Sequence, residues 1–248
     1  MKKNQKSERP RQIGLARSLS KLGHCSRSEG AILIRAGRVA LNGMVRRNPE
    51  YPATTGDCIT VDGRVLDAPA RRYLVMNKPR GLVTTASDEK ERPTVYSLLA
   101  ANLPWVAPVG RLDQASEGLL LFTNDSEWAA AITAPESHIE KTYRVQITAV
   151  ANEALITRLL EGLYDRGEHL RAVRATILRA GKKNSWVEVV LDEGHNRHIR
   201  RMFVAMGIEV LRLVRVAIGP LALGVLPKGK VRELTASEKS ALDCKLRQ

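Results

Sequence analysis

The chain has 248 residues, 44% of them hydrophobic, with 40 Lys and Arg against 26 Asp and Glu, a net charge of +14 and a pI near 10.1. That hydrophobic share excludes wholesale disorder, no apolar run is long enough to cross a membrane, and the length suits one large domain plus a small one. The positive surplus points to a polyanionic partner, nucleic acid first.

The charge is unevenly placed. Residues 1–50 hold 12 Lys and Arg against 3 Asp and Glu, and residues 194–232 hold 8 against 1, while residues 51–193 hold 17 against 19. Two basic regions flank a nearly neutral body. Cys25, Cys58 and Cys244 are odd in number and far apart, so neither a disulfide framework nor a zinc site is expected, and a reducing cytoplasm fits. His195 and His198 lack a third ligand nearby, and no metal site is expected there.

Residues 1–12 are basic and polar with no apolar segment behind them, which predicts a flexible arm rather than a signal peptide. Leu15, Ala16, Leu19 and Leu22 then follow helical spacing up to a stop at Gly23. Ser26 and Glu29 read as a capping box opening a second helix that ends at Gly37. A strand from Arg38 enters an Asn42-Gly43 turn, and Gly56 to Gly63 reads as another strand with a turn at each end. These two helices and small strands, dense in Arg, resemble the S4 RNA-binding domain over about residues 13–63. The resemblance implies contacts to RNA phosphates or sugar edges from Arg27, Arg35, Arg38 and Asn42, with Ser26 at the helix start.

Residues 68–72 read as a linker. Tyr73 to Met76 is a strand ending in Asn77-Lys-Pro-Arg-Gly81, where Pro79 and Gly81 force a turn. Arg92 to Leu99 suggests a short helix. The stretch from Val109 to Asp125 follows, in which Leu119 to Phe122 has the pattern of a strand buried on both faces. A polar loop carrying Arg111 and Asp113, closed by Gly118, precedes it. A cation and a carboxylate where a loop meets a buried strand sit on rigid scaffolding within reach of a cleft. Taken alone, Asp113 reads more readily as a turn or cap residue with Arg111 as its surface partner.

Ser126 to Ile132 is expected to be helical beside that strand. Lys141 to Ile147 alternates, with Tyr143, Val145 and Ile147 on one face. Ala154 to Leu160 reads as a helix and Trp186 to Leu191 as a strand. A polar turn from Asp192 feeds a helix with Ile199, Met202, Phe203 and Met206 on its apolar stripe. Arg197, Arg200 and Arg201 fall in its first turn, where the helix dipole disfavours cations, so an anion is expected there. Val210 to Ile218 and Leu221 to Leu226 complete the sheet. Strands and helices do not alternate strictly, which predicts an α+β fold.

Gly110-Arg-Leu-Asp113, Lys141-Thr-Tyr143 and Gly194 to Arg200, with Asn77 to Gly81, resemble in order the motifs of RNA pseudouridine synthases. The likeness is to the branch that carries an N-terminal S4 domain and modifies ribosomal RNA, and it spans about residues 13–240. It implies a small S4-like domain at 13–67, a linker at 68–72, a catalytic domain at 73–240 with a mixed, mainly antiparallel sheet flanked by helices, and a tail at 241–248. The implied reaction breaks the N1 glycosidic bond of a uridine, rotates the base and rejoins it through C5, with no cofactor or metal. By the same resemblance Asp113 is the essential aspartate, Tyr143 stacks on the extruded base, Arg200 pairs with Asp113, and Arg111 holds the RNA; Lys78 and Arg197 are expected among the RNA contacts. Whether Asp113 acts as nucleophile or base stays open.

Individually, Tyr143 also reads as a core strand residue and Arg200 as a solvated helix residue. The resembling branch more usually has Arg or Lys at His195 and Gln at His198, so an imidazole at 198 introduces a route to pH sensitivity. Arg92-Pro-Thr-Val, after Thr84-Thr85, is closer to the enzymes of the large-subunit RNA than to those of the small-subunit RNA. The expected protein is thus a cytoplasmic monomer acting on ribosomal RNA or its assembly intermediates, away from membranes. The competing readings are a non-catalytic RNA-binding assembly factor and the same enzyme acting on 16S RNA.

Overall fold

The computed structural model describes residues 12–67 and 69–247, so the arm expected at 1–12 lies almost wholly outside the described residues. The chain divides into two units, one running up to Arg71 with Asn102–Ala107 added, the other holding Arg72–Ala101 and the chain from Pro108 onward.

In the first unit β1 (Ile13–Gly14) leads into α1 (Leu15–Lys21), and α2 (Arg27–Arg35) follows. Ser26 caps α2 by accepting the Glu29 N–H at 3.1 Å, while the Glu29 side chain stays in solvent, so half of the expected capping box forms. The strands are β2 (Val39–Leu41), β3 (Met44–Val45), β4 (Pro52–Ala53), β5 (Ile59–Val61) and β6 (Arg64–Val65). Four of them form a sheet in the order β3-β2-β5-β6. Asn42-Gly43 and Asp62-Gly63 both take two consecutive left-handed residues, the conformation that two-residue hairpins require. Leu15, Leu19, Ile34 and Val39 are fully buried at the centre of this small core.

The second unit is built on β7 (Tyr73–Lys78), β8 (Ala107–Val109), β9 (Glu117–Thr123), α3 (Ser126–Thr133), β10 (Lys141–Ile147), α4 (Glu153–Glu161), β11 (Leu163–Asp165), β12 (Glu168–Leu170), β13 (Arg174–Ala180), β14 (Ser185–Leu191), α5 (His198–Ala205), β15 (Val210–Ile218), β16 (Leu221–Ala222), β17 (Val231–Glu233) and α6 (Ala236–Leu246). The main sheet runs β13-β14-β10-β15-β9-β7-β17, with β8 beside β9 and β16 beside β15. Along that order every pairing is antiparallel except β9 with β15. All seven residues of β9 are buried, including the apolar run from Leu119 to Phe122, as such a run at a sheet centre should be. One core lies around Val145, Val187, Met202 and Phe203, another around Leu119, Leu121, Ile132 and Leu242. The fold is the expected α+β, and no helix among the described residues is long and apolar enough to cross a membrane.

Several boundaries differ from expectation. The helix expected at Arg92–Leu99 is a 3-10 turn over Val95–Leu98, opened by Thr94. The strand expected at Leu221–Leu226 stops at Ala222, because Gly224 turns left-handed. Of the segment expected to be a tail at 241–248, residues 241–246 belong instead to α6. Its polar sequence hides one anchor: Leu242 is fully buried, and Asp243 accepts the Trp128 indole N–H at 2.9 Å. Leu242→Ala should therefore lower unfolding free energy by about 2–5 kcal/mol in a denaturant titration, whereas a tail residue would change nothing.

Candidate active site

The loop from Gly110 to Ser116 is held more firmly than a surface loop needs. Thr84 Oγ1 donates to the Leu112 carbonyl at 2.7 Å, and the Gly81 N–H to that of Gln114 at 2.8 Å. Lys78 Nζ donates to the carbonyls of Ser116 at 2.8 Å, Asp113 at 3.1 Å and Pro79 at 3.2 Å. Arg200 Nη2 takes the Ala115 carbonyl at 3.1 Å, and its Nη1 that of Val210 at 3.2 Å. Every carbonyl from Leu112 to Ser116 thus has a donor. Gly118 sits inside β9 rather than at the end of the loop, at φ 101°, and a Cβ there would lie 2.2 Å from the Arg215 carbonyl oxygen. Only glycine lets β9 and β15 close in parallel beneath the loop.

Lys78 was expected on the RNA. It is fully buried, because β7 runs two residues past Met76 and turns this side chain inward opposite Gly118. Burial pushes its ammonium down to about 8, opposed by the charges of Asp113 and Glu117, so it remains protonated at neutral pH.

Beside the loop lies a cavity of about 660 Å³, walled by Arg111, Asp113, Lys141, Tyr143, Arg197 and Arg215 among others. The Asp113 side chain is 36% exposed, and Arg197 Nη1 lies 3.8 Å from its Oδ2. The expected Asp113–Arg200 ion pair is not formed, because the Arg200 guanidinium faces the Ala115 and Val210 carbonyls. Burial and Arg197 press the Arg200 pKa below the ordinary value while Asp113 opposes them, so the two groups feel each other's charge without touching. Tyr143, half-buried on β10 opposite Arg215 and Val189, packs on the core and also faces the cavity.

Two cavity residues escaped the sequence reading. Lys141 lies two positions before Tyr143 and shares its face by strand alternation, which was the available signal. Its Nζ donates to the Asp192 carbonyl at 3.2 Å, and burial followed by the charge of Arg215 lowers its pKa. Arg215 is almost wholly buried, with Nε on the Leu119 carbonyl at 2.7 Å. Nothing in the pattern of β15 separated it from Arg212.

The anion expected at the start of α5 is partly the protein's own. Arg201 Nε and Nη1 bind the carboxylates of Asp165 and Glu168, on the hairpin β11–β12, and Nη2 takes the Asp165 carbonyl at 2.7 Å. Arg197, left-handed at φ 52°, is the N-cap residue of α5 and leaves its guanidinium half-exposed. His195 Nδ1 and Nε2 lie 3.2 and 2.8 Å from the carboxylates of Glu168 and Glu193. His198 is buried edge-on against it.

In the first unit Arg27 and Arg35 are exposed on α2. Arg38 makes a two-pronged pair with Asp62 at 2.8 and 2.5 Å, yet half of both side chains remains exposed. Asn42 is engaged at both ends of its amide, donating to Asp57 and accepting the Cys58 N–H, each at 2.9 Å.

A small unit with exposed guanidinium groups, and a mixed-sheet unit with a carboxylate on a braced loop above a cationic cavity, define an enzyme built for structured RNA. The family model described as RNA pseudouridylate synthase matches residues 72–205, and that of the S4 domain matches residues 13–59. An uncharacterized RNA pseudouridine synthase of Rickettsia typhi is 37% identical over 222 residues, covering 89% of this chain and 91% of its own. Ribosomal large subunit pseudouridine synthase B of Bacillus subtilis is 34% identical over 231 residues, 92% and 94% of the two chains. A crystal structure of a pseudouridylate synthase, 30% identical, matches with a TM-score of 0.66 over 93% of this chain and 99% of that one. The chain belongs to the RNA pseudouridylate synthase family.

Two consequences can be measured. Lys78→Met keeps the side-chain volume but leaves the Pro79 and Ser116 carbonyls without their donor, the Asp113 carbonyl keeping the Ser116 N–H, so unfolding free energy should drop by about 1–3 kcal/mol and pseudouridine formation should drop with it. The second concerns acid. Burial, reinforced by His195, pushes His198 down to about 4. Between its ordinary pKa near 6.5 and that value the unfolded chain binds a proton that the folded one does not, so stability falls as pH drops through this window. The loss is about 1.4 kcal/mol per pH unit, roughly 3 kcal/mol in all. Urea denaturation at pH 7 and pH 4.5 should show a smaller acid loss for His198→Gln than for the wild type.

Proposed function

We propose that this protein converts a specific uridine of ribosomal RNA, that of the large subunit, to pseudouridine, acting as a cytoplasmic monomer. The observation that carries the reading is the placement of Asp113: its backbone is locked on both sides, while its carboxylate opens into a cavity faced by Tyr143. Relatives named ribosomal large subunit pseudouridine synthase B, in Bacillus subtilis and Shigella flexneri, align over 92% of this chain. The Arg92-Pro-Thr-Val segment favours the same subgroup.

A uridine stacked in RNA presents neither its N1–C1′ bond nor its C5 to a protein, so the nucleotide must leave the stack. The ring of Tyr143 supplies a face for the extruded base, and Arg111, exposed at the cavity wall, holds the RNA from which it came. Asp113 then acts at the reacting nucleotide. The product is an isomer: the bond to C1′ moves from N1 to C5, C5 loses a proton and N1 gains one. Arg197, 3.8 Å away, sets a positive charge beside the carboxylate with which Asp113 serves as nucleophile or base. Arg200 works through the loop backbone.

Outside the cavity, Arg27, Arg35 and Arg38 on the S4 unit take phosphates, contacts that position RNA without reading its sequence. Ser26 and Asn42 keep their helix start and turns in shape.

Asp113→Asn is nearly isosteric and should abolish pseudouridine formation while leaving RNA affinity and melting temperature close to wild type; normal yield from this variant would remove Asp113 from the reaction. At Tyr143 the ring matters rather than the hydroxyl. Tyr143→Phe should bind target RNA nearly as the wild type does, and Tyr143→Ala should lose about 1–3 kcal/mol of binding, read by titration with the RNA.

A further inference from the structure

Two cations in the wall of the Asp113 cavity are short of acceptors. Arg215 lines the cavity and is 6% exposed, yet only its Nε has an acceptor among the described residues, the Leu119 carbonyl at 2.7 Å. Its Nη2 is enclosed without one. Buried guanidinium groups are normally satisfied, because a donor shut away from water without an acceptor costs free energy. Lys141 donates to the Asp192 carbonyl at 3.2 Å, which occupies one of its three N–H groups. The other carboxylates lining the cavity beside it face imidazoles instead: Asp192 lies 3.5 Å from His138 Nδ1, and Glu193 lies 2.8 Å from His195 Nε2.

Both cations are set around Tyr143. Arg215 is its direct partner across β10 and β15, and Lys141 precedes it by two residues on the same face of β10. Partners of this kind have Cβ atoms about 5 Å apart. The register slips between Thr142 and Tyr143, which leaves Val216 as an extra residue in β15, an irregularity that re-aims neighbouring side chains. A base lying on the tyrosine ring thus turns one edge toward Arg215 and Lys141. Its phosphates remain with the RNA strand at the mouth, where Arg111 and Arg197 are exposed. Arg215 is within reach only of the part that enters deepest, which is the base.

We infer that Arg215, assisted by Lys141, forms a donor-only seat for a carbonyl oxygen of the extruded uracil and bears the negative charge the base gains when its glycosidic bond breaks. This rests on the proposed reaction and specifies its chemistry on the side of the base. The charges acting on Lys141 are those of Arg215 and Asp192, so the seat stands off from Asp113, where the sugar reacts. The oxygen presented to it is O4, across the ring from the glycosidic nitrogen. When N1–C1′ breaks, the bonding pair stays with the base and spreads over N1, O2 and O4. A half-turn about the axis through C6 and N3 exchanges N1 with C5 and O4 with O2, so a carbonyl oxygen occupies the seat before and after. The pair then returns to C1′ through C5, which gives up its proton while N1 takes one. Donors fixed where charge develops, in an enclosed site, lower the barrier to each step. Neither cation can accept a hydrogen bond, so cytosine, with an amino group in place of O4, would set donor against donor.

The test uses the full-length protein, an in vitro transcript of the ribosomal RNA from its own organism, and single-stranded oligouridylate and oligocytidylate. In turnover Arg215→Met should lower kcat about 100-fold or more and move KM less than about threefold, because contacts at the mouth are intact. Arg215→Lys, which keeps a charge there, should recover part of kcat. The wild type should bind oligouridylate about 10-fold or more tightly than oligocytidylate. Arg215→Met should abolish that preference and leave the salt dependence of binding unchanged. Lys141→Met should narrow the preference and lower kcat, and it decides the matter if Arg215→Met shows no cooperative melting transition. Equal affinity of the wild type for the two oligonucleotides, a preference that survives both substitutions, or wild-type kcat in Arg215→Met overturns the inference. A weaker salt dependence in Arg215→Met overturns it too and leaves the cations to a phosphate. If the wild type makes no pseudouridine the proposed function fails, while the oligonucleotide preference still decides the seat.

Discussion

A single buried ammonium organises the catalytic unit. Lys78 has no access to solvent, and a charge so placed is tolerable only if it is surrounded by acceptors; it finds three carbonyl oxygens, two of them in the loop that carries Asp113. The dependence runs both ways. The ammonium needs those carbonyls, and the loop has no sheet partner of its own to satisfy them. Because β7 is hydrogen-bonded along β9, the base of the loop is referred directly to the centre of the sheet.

Arg200 and Gly118 extend the same constraint. Arg200 ties the Ala115 carbonyl to the chain beyond α5, so the helix and the loop are positioned together. Gly118 lets β15 approach closely enough for its parallel pairing, which brings Arg215 under the cavity and, across β15, Tyr143 on β10 into the same wall. Side chains from β10, β15, the Asp113 loop and the turn before α5 thereby converge on one space, although they span more than a hundred residues of chain.

The positive charge of the protein has been divided between two tasks. Lys78, Arg200 and Arg201 are engaged by carbonyls and carboxylates of the chain, and they set geometry. Arg27, Arg35, Arg111 and Arg197 keep their guanidinium groups at the surface, where a phosphate can reach them. Composition counts both sets alike. The dipole argument at α5 correctly asked for an anion near its arginines, but for Arg201 that anion is a pair of carboxylates on a neighbouring hairpin, needed to hold the hairpin in place.

Local rules were sufficient for much of this protein. The Asn42-Gly43 and Asp62-Gly63 hairpins, the Ser26 cap, the alternating β10 and the apolar β9 all follow from interactions within a few residues of the chain, and they were legible in the sequence. Ordered motifs likewise made the family legible. What the sequence could not settle were the partners of long charged side chains. Lys78 next to a Pro-Arg-Gly turn reads as a surface cation, and its burial follows from where β7 lies in the sheet. Arg200 and Arg197 are three residues apart on one helix start, and only the packed loop decides that Arg197 lies nearest the Asp113 carboxylate while Arg200 takes the backbone. The polar α6 gave no local sign of docking, because Leu242 and Asp243 find their partners outside the helix, Leu242 in a core that includes Leu119, Ile132 and Leu221 and Asp243 on Trp128, 115 residues earlier. Backbone conformation is determined by neighbours in sequence; the partner of a flexible charged side chain is determined by which acceptors the finished fold leaves within its reach.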